Sequence, residues 1–192
     1  MIVTLASVAP AKLLGRSYLR EWSLRLLFGS LVFLFGASAS WSQELSEYKL
    51  KAAFLYNFAV FTDWPSYVTS PLNLCVYGKD PFDDDLDKLN GKKIGSRTIA
   101  VHRNVRLDQI KSCQVVFIPN NDVGRLSSVI DMLQGSPTLV VAESPGATQM
   151  GAALNMTMAQ GRIVFEANLK AAQKAGLNLS SKMLRLAVEV IQ

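Results

Sequence analysis

The sequence is poor in the side chains that most enzymes use. Its 192 residues include one histidine, His102, and two cysteines, Cys75 and Cys113. A lone histidine cannot build a multi-histidine metal site, and no serine or cysteine adjoins it in sequence as a nucleophile. There is no C-x-x-C pair, which excludes a thioredoxin-type redox centre. No G-x-G-x-x-G follows a strand, and G-x-S-x-G is absent. The glycine-punctuated stretch from Pro145 to Gly151 lacks the Lys-Ser/Thr of a phosphate loop. Asp83, Asp84, Asp85 and Asp87 form an acidic run, but the glycine and terminal glutamate of a calcium loop are not at their offsets. Negative charge in a first helical turn accounts for that run. Neither a cofactor nor a metal is expected, and the chain reads as a binding protein rather than an enzyme.

Long apolar runs are also scarce, and the one that stands out is near the start. Lys12, Arg16, Arg20 and Arg25 precede a run from Leu26 to Ala37, and Ala37-Ser38-Ala39 follows. A basic region, a short apolar region and an A-x-A site predict a secretory signal peptide over residues 1–39. The alternative is an uncleaved anchor. The run falls short of the roughly 20 apolar residues a bilayer span needs, and Gly29, Ser30 and Gly36 weaken it further. Export leaves residues 40–192 as one domain of ordinary size, expected in the periplasm. Of 20 Lys+Arg and 15 Asp+Glu, four and one lie in residues 1–39, so the exported part carries 16 basic and 14 acidic residues, or +2. No basic stripe with interleaved aromatics remains, so no nucleic-acid partner is expected. In an oxidising compartment, an even cysteine count suggests one structural disulfide between Cys75 and Cys113. The alternative is two buried free thiols.

Periodicity predicts a helix from Glu47 to about Phe61, capped by Ser46 and apolar nearly all round. Short buried strands are predicted at Leu72–Tyr77, Ile99–Val101, Val115–Ile118 and Leu139–Ala142. Helices are predicted from Asp80-Pro81 through Leu89 and over Val123–Leu133. Alternation predicts a hairpin of Leu154–Met158 and Arg162–Ala167 around a three-residue loop ending at Gly161. Asn168 is expected to cap Leu169–Ala175, and Ser180 to cap Ser181–Ile191. The order predicts a single-domain α/β mixed-sheet sandwich with helices on both faces and a β-hairpin near the C-terminus.

Two surfaces are candidate binding sites. On the hairpin, Arg162 and Glu166 share a face, with Asn155 and Thr157 available from the other strand if the register permits. An arginine there would anchor an anionic or aromatic ligand, though the same residues fit an ordinary solvated sheet face. Tyr56, Trp64, Lys182 and Arg185 are candidates for contact with a partner, while core packing is the competing account of the aromatics.

Several segments together resemble the YfiR-like family of exported bacterial regulators. They are Leu50-Lys51-Ala52-Ala53-Phe54-Leu55-Tyr56-Asn57-Phe58 with Trp64-Pro65, Val76-Tyr77-Gly78-Lys79-Asp80-Pro81-Phe82, Gly91-Lys92-Lys93-Ile94 leading to Arg97, and Cys113-Gln114-Val115-Val116-Phe117-Ile118. Arg162-Ile163-Val164-Phe165-Glu166-Ala167-Asn168 and the specific block Ala175-Gly176-Leu177-Asn178-Leu179-Ser180-Ser181-Lys182-Met183-Leu184-Arg185-Leu186-Ala187 complete the set. The resemblance implies a periplasmic α/β domain with no known catalytic site, acting in cyclic-di-GMP signalling. It implies restraint of an inner-membrane diguanylate cyclase or sensor protein through that enzyme's periplasmic part. It further implies sequestration by an outer-membrane lipoprotein, and a homodimer. The family's best-described member carries a second cysteine pair that this chain lacks, which removes one redox trigger. A small-ligand sensor or carrier with no fixed enzyme partner is the alternative function.

Overall fold

Residues 39–192 are described by a computed structural model, with side chains placed from residue 47 onward. Residues 1–38 of the expected signal peptide lie outside the described residues. Helix α1 spans Ala39–Val60. Backbone helix therefore runs through Ser46, which does not cap it. No proline or glycine interrupts residues 39–60, and each serine there costs a helix roughly a few tenths of a kcal/mol relative to alanine. The helix ends before Trp64-Pro65. Thr62 Oγ1 donates to the Phe58 carbonyl at 2.7 Å, and the Trp64 indole donates to the Ala59 carbonyl at 3.0 Å, so two side chains satisfy orphan carbonyls of the last turn.

The described residues form ten strands, β1 (Thr62–Asp63), β2 (Leu72–Tyr77), β3 (Lys93–Ile94), β4 (Arg97–Val105), β5 (Val115–Ile118), β6 (Leu139–Ala142), β7 (Leu154–Ala159), β8 (Arg162–Asn168), β9 (Asn178–Leu179) and β10 (Glu189–Ile191). Eight of them form one sheet in the order β3-β4-β2-β5-β6-β7-β8-β10, and β1 pairs with β9 in a separate two-stranded ladder. Strands β4, β2, β5, β6 and β7 are parallel neighbours, β3 and β8 run antiparallel to theirs, and β10 is parallel to β8. Every residue of β5 and β6 is buried, as continuous apolar runs in a sheet covered on both faces must be.

Two cores follow from the alternation of side chains across the strands. On one face, Leu74, Val76, Val115, Phe117, Leu139 and Val141 meet Leu55 and Phe58 of α1 together with Phe82, Leu86 and Leu89. Phe82 sits edge-on to Phe117 at 4.9 Å, and Phe58 to Phe165 at 5.0 Å. On the other face, Cys75, Tyr77, Val116, Ile118 and Val140 meet Leu126, Val129 and Leu133 of α2 (Leu126–Met132) and the turn that follows it. The single-domain mixed α/β sandwich expected from the sequence is therefore present.

Four local expectations are revised. Residues 80–89 form two 3₁₀ turns, Asp83–Asp85 and Asp87–Leu89, instead of a helix. Asp80 Oδ1 accepts the Phe82 N–H at 2.8 Å, which closes a tight turn two residues on. The helix expected over Val123–Leu133 begins as 3₁₀ (Asn120–Arg125) and becomes α only at Leu126. The hairpin loop has two residues, because Ala159 pairs with Arg162, and both loop residues have positive φ (Gln160 +50°, Gly161 +73°). That turn matches the right-handed twist of its strands. Finally, the Ser180-capped helix α4 stops at Leu184, and Glu189–Ile191 pairs with Glu166–Asn168 as β10. A β-branched stretch gains a strand's hydrogen bonds there, which a lone last helical turn could not match. The caps themselves are as expected. Asn168 accepts from Ala171 N–H at 2.8 Å to open α3 (Leu169–Lys174), and Ser180 accepts from Met183 N–H at 3.3 Å.

Candidate functional site

Strand order reverses at β2, whose parallel neighbours are β4 on one side and β5 on the other. The carboxyl ends at such a switch point are where open α/β sheets place ligands. In this chain those ends are occupied by the protein itself. Gly78, just past β2, has φ +68°, and a Cβ there would lie 2.2 Å from Asp122 Oδ2. That carboxylate accepts the Lys79 N–H at 3.2 Å. Just past β6, two strands further, Glu143 is buried and holds three partners. They are Lys51 Nζ at 2.5 Å, Tyr48 Oη at 3.1 Å and the Asn120 N–H at 3.0 Å. Lys51 also pairs with Glu47 at 2.5 Å. A buried charge is tolerated only when paired and hydrogen-bonded, and here α1 is pinned to the strand ends by that requirement.

The network continues into the hairpin. Ser144 Oγ donates to Asn120 Oδ1 at 2.7 Å, and the Ser144 N–H donates to Asn155 Oδ1 at 3.0 Å. Asn155 Nδ2 and Thr148 Oγ1 donate to Glu166 Oε2 at 3.2 and 2.9 Å. The structure thus brings Asn155 and Glu166 together as directly opposed residues of β7 and β8. Asn155 is fully buried. Arg162 is exposed at the hairpin tip, paired with Ala159 four register pairs further along, and it forms no ion pair among the described residues. The sequence reading missed Lys51 and Glu143. A cation inside an otherwise apolar helix and a glutamate directly after an apolar strand were the available signals.

The partner candidates fall into two pairs. Tyr56 and Trp64 are half-buried. The Tyr56 hydroxyl donates to the Lys93 carbonyl at 3.0 Å, its ring lies 5.2 Å from Lys92 Nζ, and Trp64 caps α1. Lys182 and Arg185 are exposed and have no charged partner among the described residues. Arg185 is followed by Leu186, 73% exposed, and then by Val188, 62% exposed. Apolar exposure of this kind beside an arginine has the composition of an interface centre.

Cys75 and Cys113 form a disulfide that closes a 38-residue separation and is buried in the second core. His102 is Cys75's register partner on β4 and lines an opening of about 430 Å³ beside the bond. Its Nε2 hydrogen-bonds Asn73 Oδ1 at 3.0 Å, and the oxidised cysteines leave it no thiol to activate. Also on that rim, the Arg106 side chain bonded to Asp108 at 3.1 Å holds the Asp108 carboxyl below its ordinary range. Tyr77 holds the Arg125 guanidinium above its own. The acidic run is partly neutralised: Arg103 pairs with Asp80 at 2.9 Å and Asp87 at 3.0 Å, and Lys88 with Asp85 at 2.5 Å. No group of three or more His, Cys, Asp or Glu is arranged to hold a metal ion among the described residues.

The YfiR/HmsC-like family model matches residues 48–188, which takes in both cores, the disulfide and the C-terminal block. The chain belongs to the YfiR/HmsC-like family. YfiR-like proteins are periplasmic regulators that act on partner proteins. Among solved structures, the chain is similar to a conserved domain protein from Vibrio cholerae O1 biovar El Tor, at 10% identity over 74% of this chain and 60% of that one, with a TM-score of 0.50. It is also similar to the ABC domain in complex with L-Trp from Streptococcus pneumonia, at 12% identity over 62% of this chain and 55% of that one, with a TM-score of 0.45. The YfiR-like chain thus spans little more than half the length of these structures. The first likeness is one of fold alone.

Proposed function

We propose that this chain is exported by a cleaved signal peptide and acts in the periplasm as a non-enzymatic regulator. It restrains an inner-membrane signalling enzyme, such as a diguanylate cyclase, by protein–protein contact. An outer-membrane lipoprotein that sequesters it would release the enzyme, and a homodimer is the acting form. The observation that carries this reading is that Lys182 and Arg185, without a charged partner among the described residues, stand next to exposed Leu186 and Val188 on a chain of this family. Arginine and large apolar side chains supply most of the energy at contact centres, and unpaired cations there meet an acidic partner surface without first breaking an ion pair.

The test is cross-linking in the native host followed by identification of the captured membrane protein. The wild-type chain should capture an inner-membrane cyclase or sensor. Arg185→Glu combined with Leu186→Asp should abolish capture and raise cellular cyclic-di-GMP while leaving the melting temperature unchanged. Capture that survives the double substitution would move the contact elsewhere. Absence of any membrane partner for the wild-type chain would overturn the reading.

A further inference from the structure

A second opening lies between α2, α3 and the loop that leads into β7, and it plays no part in the network at the strand ends. Its volume is about 600 Å³, inside the range of about 300–1,000 Å³ typical of small-molecule sites. Its apolar wall comes from Leu133, Val140 and Ala153, with Ala171 and Ala175 of α3. Alanines at three of these positions leave space that larger side chains would fill.

The charge around it has one sign. Lys170 and Lys174 line the opening, and no aspartate or glutamate does. The two lysines are four residues apart on α3, so they stand on one face of the helix, while Ala172 is buried on another. Both are exposed and neither has a charged partner among the described residues. Asn168 and Thr138, also on the wall, have their polar atoms engaged within the protein. Asn168 Nδ2 donates to the Thr148 carbonyl at 2.8 Å and Thr138 Oγ1 to the Cys113 carbonyl at 2.8 Å. Two cations without a charged partner therefore border a hollow of mixed lining, to which Gln134, bonded to Asp131, and Gln149, bonded to Thr148, add polar groups beside the apolar wall.

We propose that this hollow binds a small amphipathic carboxylate, with its anionic head between Lys170 and Lys174 and its apolar body against Val140, Leu133 and the alanines. An apolar body gains from leaving water, and a carboxylate between two ammonium groups forms charge-assisted hydrogen bonds. An inorganic anion lacks the body and a neutral alcohol lacks the head, so neither matches the site alone. The proposal is independent of the cyclase partnership, since α3 and this hollow lie outside the surface assigned to it.

The experiment titrates the purified exported chain with decanoate, decanol and inorganic phosphate, using calorimetry and amide NMR. Decanoate should bind saturably, with shifts centred on α2 and α3, and decanol and phosphate should bind roughly tenfold more weakly or not at all. Lys170→Gln combined with Lys174→Gln should weaken decanoate by about tenfold or more at an unchanged melting temperature. Ala175→Phe, which fills the hollow and keeps both lysines, should also abolish binding. Absence of saturable binding, equal binding of decanol, or affinity unaffected by both substitutions would overturn the assignment, whatever cross-linking shows.

Discussion

At the scale of single residues, Lys51 and Gly78 carry the largest consequences. Lys51→Met removes the one charge that compensates the buried Glu143 carboxylate, leaving it only the Tyr48 hydroxyl and the Asn120 N–H. Breaking one side of such a pair costs about 3–5 kcal/mol, to be read as a lower urea midpoint at unchanged slope. Adding Glu143→Leu to Lys51→Met should recover much of that loss, because no orphaned charge then remains. Gly78→Ala meets two obstacles. A non-glycine residue at φ +68° is strained, and the new methyl would overlap the Asp122 carboxylate. A loss of about 1–3 kcal/mol is expected, and Asp122→Ala in the same background should relieve the steric part. Recovery absent in that double variant would assign the whole cost to the backbone.

At the scale of elements, the disulfide tethers β2 to the approach of β5. In the chain-entropy model a loop of 38 residues is worth roughly 4 kcal/mol. Cys75→Ala with Cys113→Ala should therefore lower the melting temperature by many degrees, and calorimetry of the oxidised wild type against this variant measures it. What the sequence made legible at this scale was local. The Asn168 and Ser180 caps, the turn glycines at 161 and 176, and the buried β5 and β6 are each set by residues within a few positions of one another. What it concealed depends on distant chain. Strand β10 exists because β8 offers it an edge, and no window around Val190 contains that fact. The Asn155–Glu166 contact was only partly visible, since alternation put both on the hairpin but their pairing depends on the register that the two-residue loop sets. Arg162 lies away from them because it stands four residues from Glu166 along β8, at the turn end of the strand. The Lys51–Glu143 pair joins residues 92 positions apart, beyond any periodicity argument.

At the scale of the whole molecule, the sheet separates two cores with different means of support. One is clad by α1 and ordered by interlocking phenylalanines, and the other is held by α2 and the disulfide. Reducing the bond should therefore act unevenly. Amide exchange should accelerate in α2 and around Cys113 while the amides of α1 from Leu55 to Ala59 keep their protection. Uniform acceleration would mean that the two faces open as one unit.

Strand β10 is three residues long and shields one border of seven-residue β8. It therefore serves as a seal against strand pairing along that border. Were proteolysis to trim the polypeptide after Val188, the bare rim of β8 would become a template for a guest strand, and the damaged product would tend to form aggregates.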